Sequence, residues 1–281
     1  MTQPLRKICR WGFVIGWLAL FPTLVWGQCD FSPWVTVWPI QAEIIQPRQL
    51  FLFSGSGLGG TQSLASKLQQ FTGSIRVYLW SSRDSVDLIM LDRLNFPGAG
   101  TFEDHTQLLL QPSRPLLPDT EYELRALRGR ENLFYLFAPG RLAPGQRRAT
   151  AYRWKTSSVP DSKAPVWLAT PTVLQKKYEA NSEGTDNYVL FSNPLRDSSK
   201  CLIKATIRDA NDGASVTTYL LPWQNQLPIG WFTCGGDIRF KSEEEYSVRF
   251  EAIDAAGNRA FASGQPIRFR APKKVACCWG K

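Results

Sequence analysis

The chain holds a single histidine, His105, so imidazole chemistry has one place to happen. It lies in Glu103-Asp104-His105 just ahead of an apolar run, where a polar turn before a strand is the plain reading. One histidine allows at most one serine or cysteine triad, because the nucleophile needs its base within hydrogen-bond reach. No serine sits in a Gly-x-Ser-x-Gly setting, the sharp elbow that exposes a nucleophile between strand and helix. A multi-histidine metal site within one chain is excluded by the count. A hydrolase using His105 is therefore an alternative function for the chain.

Other patterns that could carry chemistry have simpler explanations. Ser54-Gly55-Ser56-Gly57-Leu58-Gly59-Gly60 follows the apolar run 49–53 and precedes a helical pattern over 61–71, with Leu64, Leu68 and Phe71 on one face. Strand, glycine loop, helix is the setting of a dinucleotide fingerprint, whose backbone amides cradle pyrophosphate. The spacing is not G-x-G-x-x-G, no acidic residue ends the next strand, and there is no Walker lysine, so a crossover loop and no cofactor are expected. Asp209-Ala210-Asn211-Asp212-Gly213 imitates the start of an EF-hand loop but is one residue short and has no flanking helices. Asp, Asn and Gly serve hairpin turns for backbone reasons alone. Asp254 with Asn258 is a second oxygen pair of this kind, and no metal is expected at either place. Glu243-Glu244-Glu245 offers carboxylates, but glycoside cleavage needs two at a fixed separation; a charged strand edge that discourages aggregation is the expected role. No catalytic, cofactor or metal residue is predicted, and the chain is read as no enzyme.

Aromatic residues offer a binding surface instead. Trp34, Trp80, Trp154 and Trp167 suit packing, whereas Trp223 and Trp231 bracket the stretch 224–230, Q-N-Q-L-P-I-G. Aromatics beside amides stack on sugars or peptides, and binding loops sit on rigid scaffolds. Plugging the end of a sandwich is the simpler role, yet Trp223 and Trp231 are the candidate ligand-binding pair.

The elements that must position these residues read as strands. Residues 74–80 alternate Ile75, Val77 and Leu79 on one face, and 121–127 alternate Tyr122, Leu124 and Ala126 against charges, a period of two. Runs at 34–38, 49–53, 86–91 and 107–110 complete the first half. The second half has 188–191, 202–208, 216–221, 246–254 and 260–269, with a hairpin turn at 209–213. The only helix pattern is 61–71. Residues 156–165, T-S-S-V-P-D-S-K-A-P, form a polar, proline-bearing linker. Strands every 8–12 residues with turns between them predict an all-β chain of two tandem immunoglobulin-like sandwiches, 28–155 and 166–270, followed by a basic cysteine-bearing tail, 271–281. Tyr122 and Tyr246 each stand at a strand start and are the candidate tyrosine corners, an architectural role.

The N-terminus predicts export. Arg6, Lys7 and Arg10 precede an apolar run over 11–26, and Val25-Trp26-Gly27 suits a signal-peptidase cut, so 1–27 is read as a secretory leader. The run is shorter than the roughly 20 residues a membrane helix needs and contains Pro22, so no stable membrane span is expected after cleavage. Secretion, or a periplasmic or cell-envelope location, follows. The net charge of +9 falls to +6 when the three leader cations are removed. Its scattered positives, with local pairs at Arg147-Arg148 and Lys273-Lys274, lack the dense stripe of a nucleic-acid reader; a surface glycan or a protein is the expected partner. Of six cysteines, Cys9 leaves with the leader and an odd number remains. Cys201 and Cys234 are the expected disulfide, worth about 3–4 kcal/mol by loop entropy. Cys29 would meet Cys277 or Cys278, or one of the three would bridge to another chain.

The segment L-x-P-x-T-x-Y-x-L at 116–124 resembles bacterial immunoglobulin-like and fibronectin-type-III-like modules, as does Y-S-V-R-F-E-A-I-D-A-A-G-N at 246–258. The join W-K-T-S-S-V-P-D-S-K-A-P is similar to linkers between such modules in exported proteins of Bacteroidetes type. The resemblance implies a fold and carries no catalytic residue, since this sandwich hosts many roles. The function expected of the chain is that of an exported non-enzymatic envelope or extracellular module for adhesion, scaffolding or ligand binding. The alternatives are a carbohydrate- or peptide-binding protein using Trp223 and Trp231, and a hydrolase using His105.

Overall fold

The computed structural model describes residues 34–56, 75–96, 105–132, 151–181, 184–233, 235–262 and 264–275. The leader, Cys29, the expected helix at 61–71, Arg147-Arg148, Cys234 and the Cys277-Cys278 pair lie outside the described residues. Among the described residues the chain is all β and contains no helix. No helix there is long and apolar enough to cross a membrane.

The first half contributes β1 (Trp34–Trp38), β2 (Ile44–Ile45), β3 (Phe51–Ser56), β4 (Ile75–Trp80), β5 (Ser85–Phe96), β6 (His105–Pro112), β7 (Glu121–Arg128), β8 (Glu131–Asn132) and β9 (Arg153–Thr156). They hydrogen-bond in the order β1-β3-β6-β5-β4-β7-β9-β2, with β8 on β7. Strand β5 is long because it serves two layers. Its first residues pair with β4, the rest pair with β6, and the register shifts between Met90 and Asp92. A bulge of this kind bends a strand and lets one ladder turn into the next. The alternation read from the sequence holds on β4 and β7, where Ile75, Val77, Leu79, Tyr122, Leu124 and Ala126 are buried. They meet Phe51, Phe53, Leu108 and Leu110 from the other layer in one core, where Trp154 and Phe51 pack edge to face at 5.2 Å.

The second half contributes β10 (Val166–Trp167), β11 (Val173–Asn181), β12 (Gly184–Ser192), β13 (Leu195–Arg196), β14 (Leu202–Asp209), β15 (Ser215–Leu220), β16 (Gln226–Phe232), β17 (Gly235–Gly236), β18 (Glu245–Ile253), β19 (Arg259–Phe261) and β20 (Ile267–Arg270). One sheet runs β11-β12-β16-β17 and the other β15-β14-β18-β19, with β20 on β18; β10 pairs with β13. Between the sheets, Phe191 packs edge to face on both Phe250 and Phe269 at 5.3 Å. Two sequence expectations change here, and one strand comes where no pattern was read. The stretch 224–230 is mostly strand β16, entered by a turn at Gln224-Asn225 whose φ angles are 48° and 59°. The run 260–269 is two strands, β19 and β20. Strand β11 gave no apolar pattern because it is an exposed edge, and its Lys176 and Lys177 are the charges that keep such an edge from pairing further.

The two halves meet at a third core. Trp38, Leu50, Leu52 and Leu109 from β1, β3, β6 and their approach pack against Leu202, Tyr219, Ile253 and Ala255. Strand β15 lies at the edge of its sheet, so part of its backbone has no strand partner. Gln107 supplies one: its amide nitrogen donates to the Tyr219 carbonyl at 2.9 Å and its amide oxygen accepts from the Tyr219 N–H at 2.9 Å. The Tyr219 hydroxyl donates to Asp92 at 2.7 Å, and the Leu50 N–H donates to the Ala255 carbonyl at 2.8 Å. The segment read as a linker is also tied down, with the Asp161 N–H donating to the Gln46 side chain at 3.0 Å.

Candidate functional site

At the rim of this junction three side chains from three separate stretches line up. Strands β3 and β6 are antiparallel neighbours, with Ser56 opposite His105 and Ser54 opposite Gln107. Residues two apart on a strand share a face, so Ser54 and His105 are diagonal neighbours. The Ser54 Oγ lies 2.6 Å from His105 Nε2. On the far side of the ring, His105 Nδ1 lies 2.8 Å from the Asp237 Oδ1, which belongs to the other half of the molecule. The second Asp237 oxygen accepts from the buried Thr218 hydroxyl. Phe96 stacks on the imidazole at 5.4 Å between centroids. The carboxylate side chain of Asp237 is 15% exposed and the imidazole of His105 17%, so the group sits at the edge of solvent.

Local structure delivers each member. Ser54, read as part of a glycine loop, is an internal residue of β3, paired on both sides by β1 and β6. Asp237 directly follows β17, which is two glycines long. A Cβ on Gly236 would lie 2.2 Å from the Gly230 carbonyl oxygen. Only glycine lets β17 press this close to β16, and that approach carries Asp237 to the junction. No local pattern marks Ser54 or Asp237 as partners of His105, because they lie 51 and 132 residues from it. The uniqueness of His105 was the only pointer.

The expected ligand pair is not brought together. Trp223 is 58% exposed beside the tight turn, while Trp231 is 5% exposed near the far end of β16 beneath the Arg239 guanidinium, 3.7 Å above its ring. Five residue steps along β16, from Gln226 to Trp231, span about 17 Å. Burial lowers the pKa of Arg239 without taking its charge at neutral pH.

Cys201 is a free, buried thiol, and no disulfide forms among the described residues. Cys201 precedes β14 at the Leu202–Ile253 end of the sheet, and its expected partner, Cys234, lies outside the described residues. Burial, with Asp197, Asp254 and Asp161 nearby, pushes the Cys201 thiol up to about 12.

Both tyrosines stand second in their strands and fold their hydroxyls back. The Tyr122 hydroxyl accepts from the Leu117 N–H at 3.0 Å and donates to Asp84 at 3.0 Å. The Tyr246 hydroxyl accepts from the Lys241 N–H at 3.1 Å, again five residues upstream. Burial raises the pKa of each phenol, while the Arg114 guanidinium holds Asp84 below the usual carboxylate range.

Among the described residues, one group of carboxylates is close enough to share a cation. Asp161, Asp197 and Asp254 have oxygens within 4.8 Å of one another. All-oxygen donors would suit a hard ion such as Ca²⁺. Loop donors already reach all three: Ser198 and Lys163 for Asp161, Ser199 for Asp197, and Ala256 and Asn258 for Asp254. Burial, then the charges of Asp197 and Asp161, raise the pKa of Asp254 against the lowering effect of Asn258. The turn at 209–213 is closed by backbone and by the Lys241 ammonium, which donates to Asp209 and Asp212 at 3.1 Å each. No protein-family model matches the chain, and no curated protein matches it in sequence.

Proposed function

We propose that the chain is an exported module of the cell envelope or extracellular space, built of two immunoglobulin-like sandwiches and working in adhesion, scaffolding or ligand binding. The observation that carries this reading is the junction. An apolar cluster and the Gln107–Tyr219 pair hold the two halves as one body. Domains joined by a polar, sparse contact move freely by default, whereas an apolar, hydrogen-bonded one fixes the spacing between surface loops. A module that presents binding surfaces at fixed separation has use for such a junction. Tyrosines folded back in both halves support the sandwich assignment.

The test is sedimentation of the full chain, expressed with its own leader, with isolated sacculi and outer-membrane vesicles. Saturable retention that survives high salt supports the reading. Retention no greater than that of an unrelated secreted protein overturns it.

A second reading, carbohydrate or peptide binding, is favoured by one observation: Trp223 is 58% exposed beside a tight turn. It runs through Trp223 without Trp231. Quenching of tryptophan fluorescence by a glycan panel, lost in Trp223→Ala and kept in Trp231→Phe, is its signature.

A further inference from the structure

We propose that Ser54, His105 and Asp237 form a serine-hydrolase site at the domain junction, acting on acyl esters. This goes beyond the module reading and revises the expectation that the chain is no enzyme. The argument rests on roles and distances. A nucleophile needs its base at about 2.6–3.2 Å, and the base needs a third group to orient it. Ser54 Oγ to His105 Nε2 is 2.6 Å and His105 Nδ1 to Asp237 is 2.8 Å. The carboxylate accepts the proton on Nδ1, and this leaves the Nε2 lone pair aimed at the serine hydroxyl, the tautomer that general-base catalysis requires. Thr218 holds the outer carboxylate oxygen, so Asp237 is itself fixed. Phe96 fixes the ring plane.

The reaction balances without any oxidant or metal. Ser54 Oγ adds to the ester carbonyl carbon while its proton passes to His105 Nε2. The bond from that carbon to the alcohol oxygen breaks, and His105 returns the proton to the departing alkoxide. Water then adds to the acyl-Ser54 ester, giving one proton to His105. Collapse releases the carboxylic acid, and Ser54 regains its hydrogen. The sum is ester plus water to acid plus alcohol.

The substrate class follows from the neighbouring donors. Gln107, opposite Ser54, has its amide nitrogen committed to Tyr219 and cannot turn to an oxyanion. Losing one oxyanion donor lowers turnover by about 10²–10³. Esters with good leaving groups tolerate that loss and amides do not. Ser54 and His105 are the catalytic residues, and Asp237 and Thr218 are positioning residues.

The test treats the full chain with a biotinylated fluorophosphonate, maps the adduct by mass spectrometry, and measures p-nitrophenyl acetate hydrolysis. We expect one adduct, on Ser54, and none in Ser54→Ala. Asp237→Asn should lower kcat by 10²–10⁴ with KM unchanged, as for the orienting aspartate of known triads. A purely structural clasp would not produce that split. His105→Gln should lose labelling at an unchanged far-UV spectrum; should it fail to fold, Asp237→Asn decides alone. Absence of an adduct on the folded chain, an adduct on another serine, or labelling unaffected by Asp237→Asn would each overturn the proposal.

Discussion

Replacing Gln107 with alanine should loosen the junction without touching the core of either half. Gln107 is 4% exposed and gives the edge strand β15 the backbone partner it lacks. Truncation leaves the Tyr219 N–H and C=O without their partner in a covered site. An unmade buried hydrogen bond costs about 1–3 kcal/mol, so the pair costs about 2–6 kcal/mol, and water entering the space left by the amide brings this toward about 3 kcal/mol. For a chain of this size that is a fall in Tm of about 6–12 °C. Because each half keeps its own core, the loss should appear as separation of the two unfolding events. Differential scanning calorimetry reads both effects: one cooperative transition in the parent, and an earlier transition split in two in the variant. A Gln107→Ala protein that melts as one unit within about 0.5 kcal/mol of the parent, the range of an ordinary surface change, would refute the junction argument.

Four further outcomes follow from the same geometry. Tyr122→Phe should cost more than Tyr246→Phe, about 2 against about 1 kcal/mol, because the Tyr122 hydroxyl has two partners and Tyr246 one; urea titrations of both variants measure the difference. Cys201 should resist iodoacetamide in the native chain at neutral pH and react once denatured, since burial pushes its thiol up to about 12 and the thiolate is the reactive form. Asp197→Asn should raise Tm at pH 7 and lose that gain as pH falls toward 4. The folded pKa of Asp254 is raised, so its contribution favours the fold below the unfolded value of 3.8 and is lost as pH rises through the raised one; removing the Asp197 charge returns part of that loss. Gly236→Ala should withdraw Asp237 from His105, because the new Cβ meets the Gly230 carbonyl at 2.2 Å, and should abolish fluorophosphonate labelling before it abolishes the β-sheet spectrum.

Strand periodicity was legible where one face is buried and the other wet, as on β4 and β7. The turn at 209–213 was legible because Asp209 and Asp212 accept from the amides two residues on, a local bond that needs no tertiary context. Strand β16 was hidden by Pro228 and Gly230, which read as breakers but sit in β16 opposite Leu190 and Tyr188. Strand β11 was hidden because an edge needs no apolar face. The junction site was illegible for a different reason. Its members are joined only when β3, β6 and the segment after β17 meet across two halves of the chain, and no local pattern records a contact over 132 residues. The free, buried state of Cys201 was illegible on the same point, since counting cysteines says nothing of which residues surround each one.

The single histidine makes the decisive measurement unambiguous. Proton NMR of the full chain, with ¹⁵N-labelled histidine, should show one far-downfield imidazole N–H resonance on Nδ1, protected from exchange and lost in Asp237→Asn, with Ser54→Ala changing only the Nε2 side. An imidazole whose Nδ1 proton exchanges freely with water, unaffected by Asp237→Asn, would contradict both the docked junction and the site it assembles.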